Sequence, residues 1–271
     1  MNDCFEGKRL YGDDFNFAQI QQWYEHESEG YANLGNKDKS KHIYGYHVMN
    51  EVHGFKKLKR SNFESVLGFG SAWGDEFMPI IKKIKNITII EPSDNLKADF
   101  LGNIRPNYIK PEIDGHLEFS SDSFDLITCF GTLHHIPNVS FVIKELIRVL
   151  KPEGYILIRE PIVSMGDWNL PRPGLTKNER GIPVAFFDNL FKHEHVEIIS
   201  REYCFTMTSF FQKLLGHLIK RPIYTYKWFV IFDKIFSYIM KSNVHYHAKN
   251  SVNKIAPSSI FYVIKKTNEF R

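Results

Sequence analysis

Cysteine is scarce in this 271-residue chain: Cys4, Cys129 and Cys204 are all there are, an odd number with no metal-ligand spacing. That argues against a disulfide framework and for free thiols in a reducing compartment, and no metal is assigned. The start, Met1-Asn2-Asp3-Cys4-Phe5-Glu6, lacks the basic opening and apolar run of a secretory signal. There is no stretch of about 18 uncharged apolar residues, so no segment is expected to span a bilayer. Internal repeats and low-complexity segments are also lacking. These absences point to a cytoplasmic protein, membrane-peripheral at most.

Aromatics, by contrast, are plentiful, with 23 Phe and 13 Tyr. The net charge of +4 conceals an asymmetry: residues 205–271 hold 11 Lys+Arg and 2 Asp+Glu, which leaves 24 basic and 29 acidic residues in 1–204. A basic, aromatic tail on an acidic body suits an anionic substrate or an anionic membrane surface, or it is simply a solvated face. Its basic residues sit among apolar helical positions and no nucleic-acid-binding motif is present, so nucleic acid is not expected as a partner.

Residues 1–60 read as a helical cover, with Ile43, Tyr46, Met49, Val52, Phe55 and Leu58 recurring every three residues. From there apolar runs alternate with amphipathic stretches. The pattern predicts strands at 65–69, 87–91, 107–110, 124–130 and 155–160, and helices near 75–85, 94–101 and 139–150. Such alternation indicates a parallel sheet covered on both faces, whose ligands gather beyond the strand C-termini. Two more strands are predicted at 196–203 and 260–265, with over 50 helical, aromatic residues between them.

The first strand enters Gly68-Phe69-Gly70-Ser71-Ala72-Trp73-Gly74. Glycines let a ligand approach the backbone, and the following helix offers free N–H groups. A dinucleotide fingerprint would need glycine where Trp73 stands, and no Walker lysine follows Gly74. The loop reads instead as acid-x-G-x-G-x-G, with Gly68 in place of the acid and Ala72 in place of the middle glycine. Glu91 ends the second strand, where a carboxylate can accept from both hydroxyls of a ribose. Asp114 and His116, past the third strand, either reach an adenine edge or form a polar turn around Gly115.

The runs V-L-G-F-G-S-A-W-G, I-I-E, S-F-D-L-I-T-C-F-G-T-L-H-H-I-P-N and V-L-K-P-E-G-Y-I-L-I-R-E-P, within residues 64–161, resemble the class I S-adenosylmethionine-dependent methyltransferases. The resemblance implies a Rossmann-like, seven-stranded, mostly parallel α/β sheet of order 3-2-1-4-5-7-6, with strand 7 antiparallel and S-adenosylmethionine as cofactor. It places Gly68, Gly70, Ala72, Gly74, Glu91, Asp114, His116 and Phe130 at the cofactor. The 26 residues from His134 to Glu160 resemble the histidine–carboxylate pair of sugar O-methyltransferases. This implies His134 as general base oriented by Glu160, with His135 as second choice. The other reading makes both histidines helix-start residues bonded to backbone.

The loop 164–183 is long and irregular, which at a sheet's C-terminal end is usually functional. Arg172, Lys177 and Arg180 would hold an anionic group and Trp168 would stack on a sugar, unless the loop is only a proline-stiffened surface. In 223–240 the residues Lys227, Lys234 and Lys241 recur every seven positions on an otherwise apolar stretch, a narrow polar stripe beside a wide apolar face. With Phe210, Phe211, Leu214, Leu215, Leu218 and Ile219 before it, this segment is a lid or homodimer surface, or an interfacial helix pair over 205–241. The expected divisions are a cover at 1–60, a cofactor-binding core at 61–204, the insertion at 205–256 between strands 6 and 7, and the last strand with the C-terminus at 257–271. The expected activity is O-methylation of a sugar or glycan, as in surface-polysaccharide biosynthesis. A lipid, quinone or other small-metabolite acceptor, or a non-catalytic binding subunit, are the alternatives.

Overall fold

The computed structural model describes residues 2–34, 42–168, 170–172 and 174–268. Parts of the predicted cover (35–41) and of the predicted loop (Asn169, Pro173) lie outside them. The described chain begins with helices α1 (Asn2–Phe5), α2 (Phe17–Leu34) and α3 (His47–His53). Of the residues recurring every three in the cover, Met49 and Phe55 are buried while Ile43 is exposed.

Seven strands follow: β1 (Phe63–Phe69), β2 (Ile84–Ile90), β3 (Asn107–Ile109), β4 (Phe124–Phe130), β5 (Leu150–Pro161), β6 (Val196–Cys204) and β7 (Ser259–Lys266). They form one sheet of order β3-β2-β1-β4-β5-β7-β6. Pairing from β3 through β5 is parallel, and β7 runs antiparallel to both β5 and β6. Helices α4 (Val139–Val149) and α5 (Val184–Lys192) join β4 to β5 and β5 to β6, while α6 (Thr208–Leu215) and α7 (Lys227–Met240) form the insertion between β6 and β7.

Apolar burial explains the central strands. Along β4 and β5, Ile127, Cys129, Ile156 and Ile158 pack with Val142, Ile143 and Leu146 of α4 on one face. Leu126, Tyr155 and Leu157 pack with Phe77, Ile80 and Phe55 on the other. Alternate residues therefore serve opposite faces and both are covered, so the strands read as unbroken apolar runs.

The helix expected over 94–101 is absent. A short 3-10 turn covers Asp94–Leu96, and Leu101 pairs with Ile104 in an isolated bridge. In place of a helix, the amide N–H of Ala98 donates to the Tyr108 hydroxyl, which donates to the Ala72 carbonyl. At the far end of the sheet, buried Asp125 accepts from the Glu64 and Ser65 amides at 2.8 and 2.9 Å, which leaves the strand C-termini for ligand chemistry.

Candidate active site

The C-terminal ends of β1, β2, β3 and β4 enclose a cleft with Gly70, Ile90, Ser93, Ile113, His116 and Thr132 on its walls. His135, Ile136 and Pro137 also line it, together with Tyr24 and Glu27 of α2. Gly70 is required where it stands. Its φ is +67°, and a Cβ there would lie 2.4 Å from Thr132 Cγ2 and 2.5 Å from its hydroxyl. Thr132 Oγ1 donates to the Phe69 carbonyl at 3.1 Å, clamping the glycine turn to the loop after β4.

Glu91 sits at the mouth of β2, 2% exposed. One carboxylate oxygen accepts from the Ala72 amide and the other from the Ser93 amide, both at 3.0 Å. Burial pushes its pKa up, against those two bonds and the charge of Lys110. A carboxylate has about four lone-pair sites, so two remain for hydroxyl donors. Of the other residues expected at the cofactor, Gly70 and His116 line the cleft. Asp114 accepts from the His116 amide at 2.9 Å, and His116 Nδ1 lies 3.0 Å from Glu145. Phe130 packs beneath Arg159 and against Phe261, away from the cleft walls. Gly68, Ala72 and Gly74 are not among the residues that line the cleft.

The two histidines stand in different surroundings. His134 Nδ1 is 2.7 Å from Glu160 Oε2, and Glu160 Oε1 accepts the Thr132 and Leu133 amides, each at 2.8 Å. The opposite ring nitrogen, Nε2, lies 3.5 Å from Glu179. Burial disfavours the charged imidazole, but the two carboxylates outweigh it and raise the His134 pKa to about 9. Burial likewise works against ionised Glu179, yet His134 and His135 bring it down to about 2. Both carboxylates thus favour the protonated ring of His134, which is enclosed by protein. His135 faces the cleft, with Nδ1 2.9 Å from Glu27 Oε2. Glu27 in turn accepts from the Thr176 hydroxyl at 2.7 Å.

Glu27 and Glu179 were missed in the sequence. Ile20, Trp23 and Glu27 fall at helical spacing on α2, and all are buried. An acid on an apolar helix face was the signal for Glu27. The Trp23 indole N–H donates to the His135 carbonyl at 2.7 Å, which seats that face on the site. Among the described residues, His134, His135 and Glu179 bring ligand atoms within 4.8 Å of one another, close enough to hold a metal ion. His134 would first have to lose its proton, since only neutral imidazole ligates.

The side chains expected to hold an anionic acceptor have other partners. The Arg180 guanidinium is fully buried and donates to the carbonyls of Tyr11, His134, Ile136 and Pro137. That burial lowers its pKa to about 10. Arg172 donates to the carbonyls of Met165, Thr176, Lys177 and Glu179 within its own loop. Lys177 Nζ lies 3.4 Å from His26 Nε2. The Trp168 ring stacks on Phe5 at 4.5 Å, and its N–H donates to the Ser164 carbonyl.

Comparison with known proteins agrees with this geometry. Residues 67–158 match the family model described as a methyltransferase domain. A demethylmenaquinone methyltransferase of Lactobacillus johnsonii is 31% identical over 41% of this chain and 52% of its own length. A ubiquinone biosynthesis O-methyltransferase of Shewanella pealeana is 38% identical over 24% of this chain and 28% of its own. The chain thus spans about half or less of the length of these curated relatives. An S-adenosylmethionine-dependent methyltransferase from Mesorhizobium loti superposes with a TM-score of 0.50 at 14% identity, covering 78% of this chain and 94% of that one. Residues 67–158 thus match a methyltransferase domain, and the sheet has the strand order implied by the resemblance to class I S-adenosylmethionine-dependent methyltransferases, whose expected cofactor is S-adenosylmethionine.

The residues present fit that cofactor. Ile90, Pro92 and Ile113 put apolar side chains on the cleft wall that would suit a purine, Glu91 at the end of β2 has lone pairs beyond its two amide bonds that would suit a ribose, and Gly70 would let a ligand approach the backbone.

Proposed function

We propose that the chain methylates a hydroxyl of an apolar small molecule of the quinol or lipid kind, with His135 as general base and Glu27 as its orienter. When bound, S-adenosylmethionine supplies a methyl group already activated by the positive charge on sulfur. The protein must align the acceptor and take its proton. A histidine whose Nδ1–H donates to a carboxylate is held in the tautomer with its basic lone pair on Nε2, as in the orienting arrangement of a catalytic triad. His135 is the histidine so held in the cleft wall beside Thr132, and this observation carries the reading. His134 then acts as a positioning residue. Its ion pairs with Glu160 and Glu179 fix the turn that presents its neighbour.

The acceptor class rests on two supports. Next to His135 the cleft wall carries the apolar side chains of Ile136 and Pro137. Two of the relatives named above are, by their descriptions, a demethylmenaquinone methyltransferase and a ubiquinone biosynthesis O-methyltransferase. A sugar or glycan acceptor is the second reading. It is favoured by the His134–Glu160 contact at 2.7 Å, with His134 giving up its proton before acting as base.

Kinetics of two variants separate the readings. His135→Ala is expected to lower kcat by about a hundredfold, within the usual range for a general base, while S-adenosylhomocysteine binding persists. Glu27→Gln is expected to lose about tenfold, the order of one charge-assisted hydrogen bond. Full activity in His135→Ala would return the base role to His134. Loss of cofactor binding in wild type would leave only the non-catalytic alternative.

A further inference from the structure

Helix α7 is built inside out. Its polar residues Asp233 and Ser237 are buried, at 2% and 0% exposure. Asp233 accepts from the Phe205 and Met207 amides at 2.7 and 2.8 Å, capping the approach to α6, and the Ser237 hydroxyl meets that of Thr206 at 2.7 Å. Satisfying these groups turns the wide apolar side of the helix outward. Trp228, Ile235, Tyr238 and Ile239 are 55%, 59%, 67% and 64% exposed, and with Ile231 and Phe232 they follow the three- and four-residue steps of one helix face. Phe211 of α6 packs on Phe229 and Phe232 at 5.6 Å, so α6 adjoins this face and adds Phe210 and Leu214, both more than half exposed. An apolar surface of this extent marks a contact site.

Charge says with what. Residues 205–258 contain eight Lys and Arg and one acid, Asp233, which is the buried one. Lys234 is turned inward to Glu202 at 2.8 Å, while Lys213, Lys220, Arg221, Lys227 and Lys241 are exposed. A two-fold contact with a second copy would set this basic rim against itself with no exposed acid to pair it. We infer that α6 and α7 dock on an anionic lipid bilayer, the apolar face entering the headgroup–acyl boundary and the lysines meeting the phosphates. The inference rests on this surface alone and not on the proposed reaction. If it holds, an apolar acceptor can be drawn from the bilayer itself.

Sedimentation with phosphatidylcholine vesicles, with and without phosphatidylglycerol, tests it. The full chain should pellet with the anionic vesicles and release as salt is raised. Brominated lipid should quench Trp228, a signal absent in Trp228→Phe. Ile235→Ser combined with Ile239→Ser should weaken partitioning by about tenfold or more, since two buried isoleucines are lost to the bilayer. S-adenosylhomocysteine binding should be unchanged in that variant, which shows it is folded. Three results would each overturn the inference: no pelleting at low salt, equal pelleting of the double variant, or a stable dimer in sedimentation velocity that the double variant dissolves.

Discussion

Glu160→Gln is the most informative single change at the histidine turn. In the wild type one oxygen of Glu160 accepts two backbone amides and the other faces His134 Nδ1. The amide oxygen of glutamine can keep the backbone bonds, but its NH2 then faces the imidazole and removes one of the two charges that hold the proton. A rise of the His134 pKa from 6.5 to about 9 corresponds to about 3 kcal/mol at most. Because Glu179 remains, about 2 kcal/mol of that should go with the Glu160 charge. The sign follows from a pKa raised on folding: the contribution is complete below pH 6.5 and is lost as pH rises through about 9. Urea unfolding at pH 6 should therefore show Glu160→Gln less stable than wild type by about 2 kcal/mol, and the gap should narrow by pH 9.5. A gap that is the same at both pH values would refute the imidazolium assignment and reopen His134 as the base.

The remaining expectations concern the scaffold and the cofactor cleft. Arg180→Lys should cost about 3 kcal/mol, because an ammonium cannot span four backbone carbonyls that lie out of water; calorimetry should show Tm lower by about 6 °C or more, and an unchanged Tm would show those bonds to be dispensable. Gly70→Val should abolish S-adenosylhomocysteine binding, since its methyl groups would drive into Thr132; retained binding would move the cofactor off this loop.

Much of this architecture was legible because it follows from burial. Strands covered on both faces give continuous apolar runs, and the 124–130 prediction coincides with β4. Boundaries drifted where the pairing itself extends a strand: β5 begins at Leu150, paired with Phe124, and runs through Lys151-Pro152-Glu153-Gly154. The missing helix near 94–101 is a case of tertiary contact overriding local pattern, since Tyr108 ties down Ala98 and Ala72. The Gly70 turn and the Glu91 strand end were readable from spacing. The partners of the histidines were not, because Glu27 lies 108 positions from His135 and Glu179 comes from an irregular loop. Nor does a sequence say that Asp233 would turn inward: its polar stripe was visible, but the direction it faces depends on the amides of Phe205 and Met207.

The claim on which the account stands is that S-adenosylmethionine lies across the strand ends between Gly70, Glu91 and Thr132. Titration calorimetry of the full chain with S-adenosylhomocysteine tests it most directly. One molecule should bind per chain, and Glu91→Ala, which takes away the ribose acceptor, should weaken binding by about tenfold or more. Absence of binding by the folded wild-type chain, or binding that Glu91→Ala leaves untouched, would contradict it.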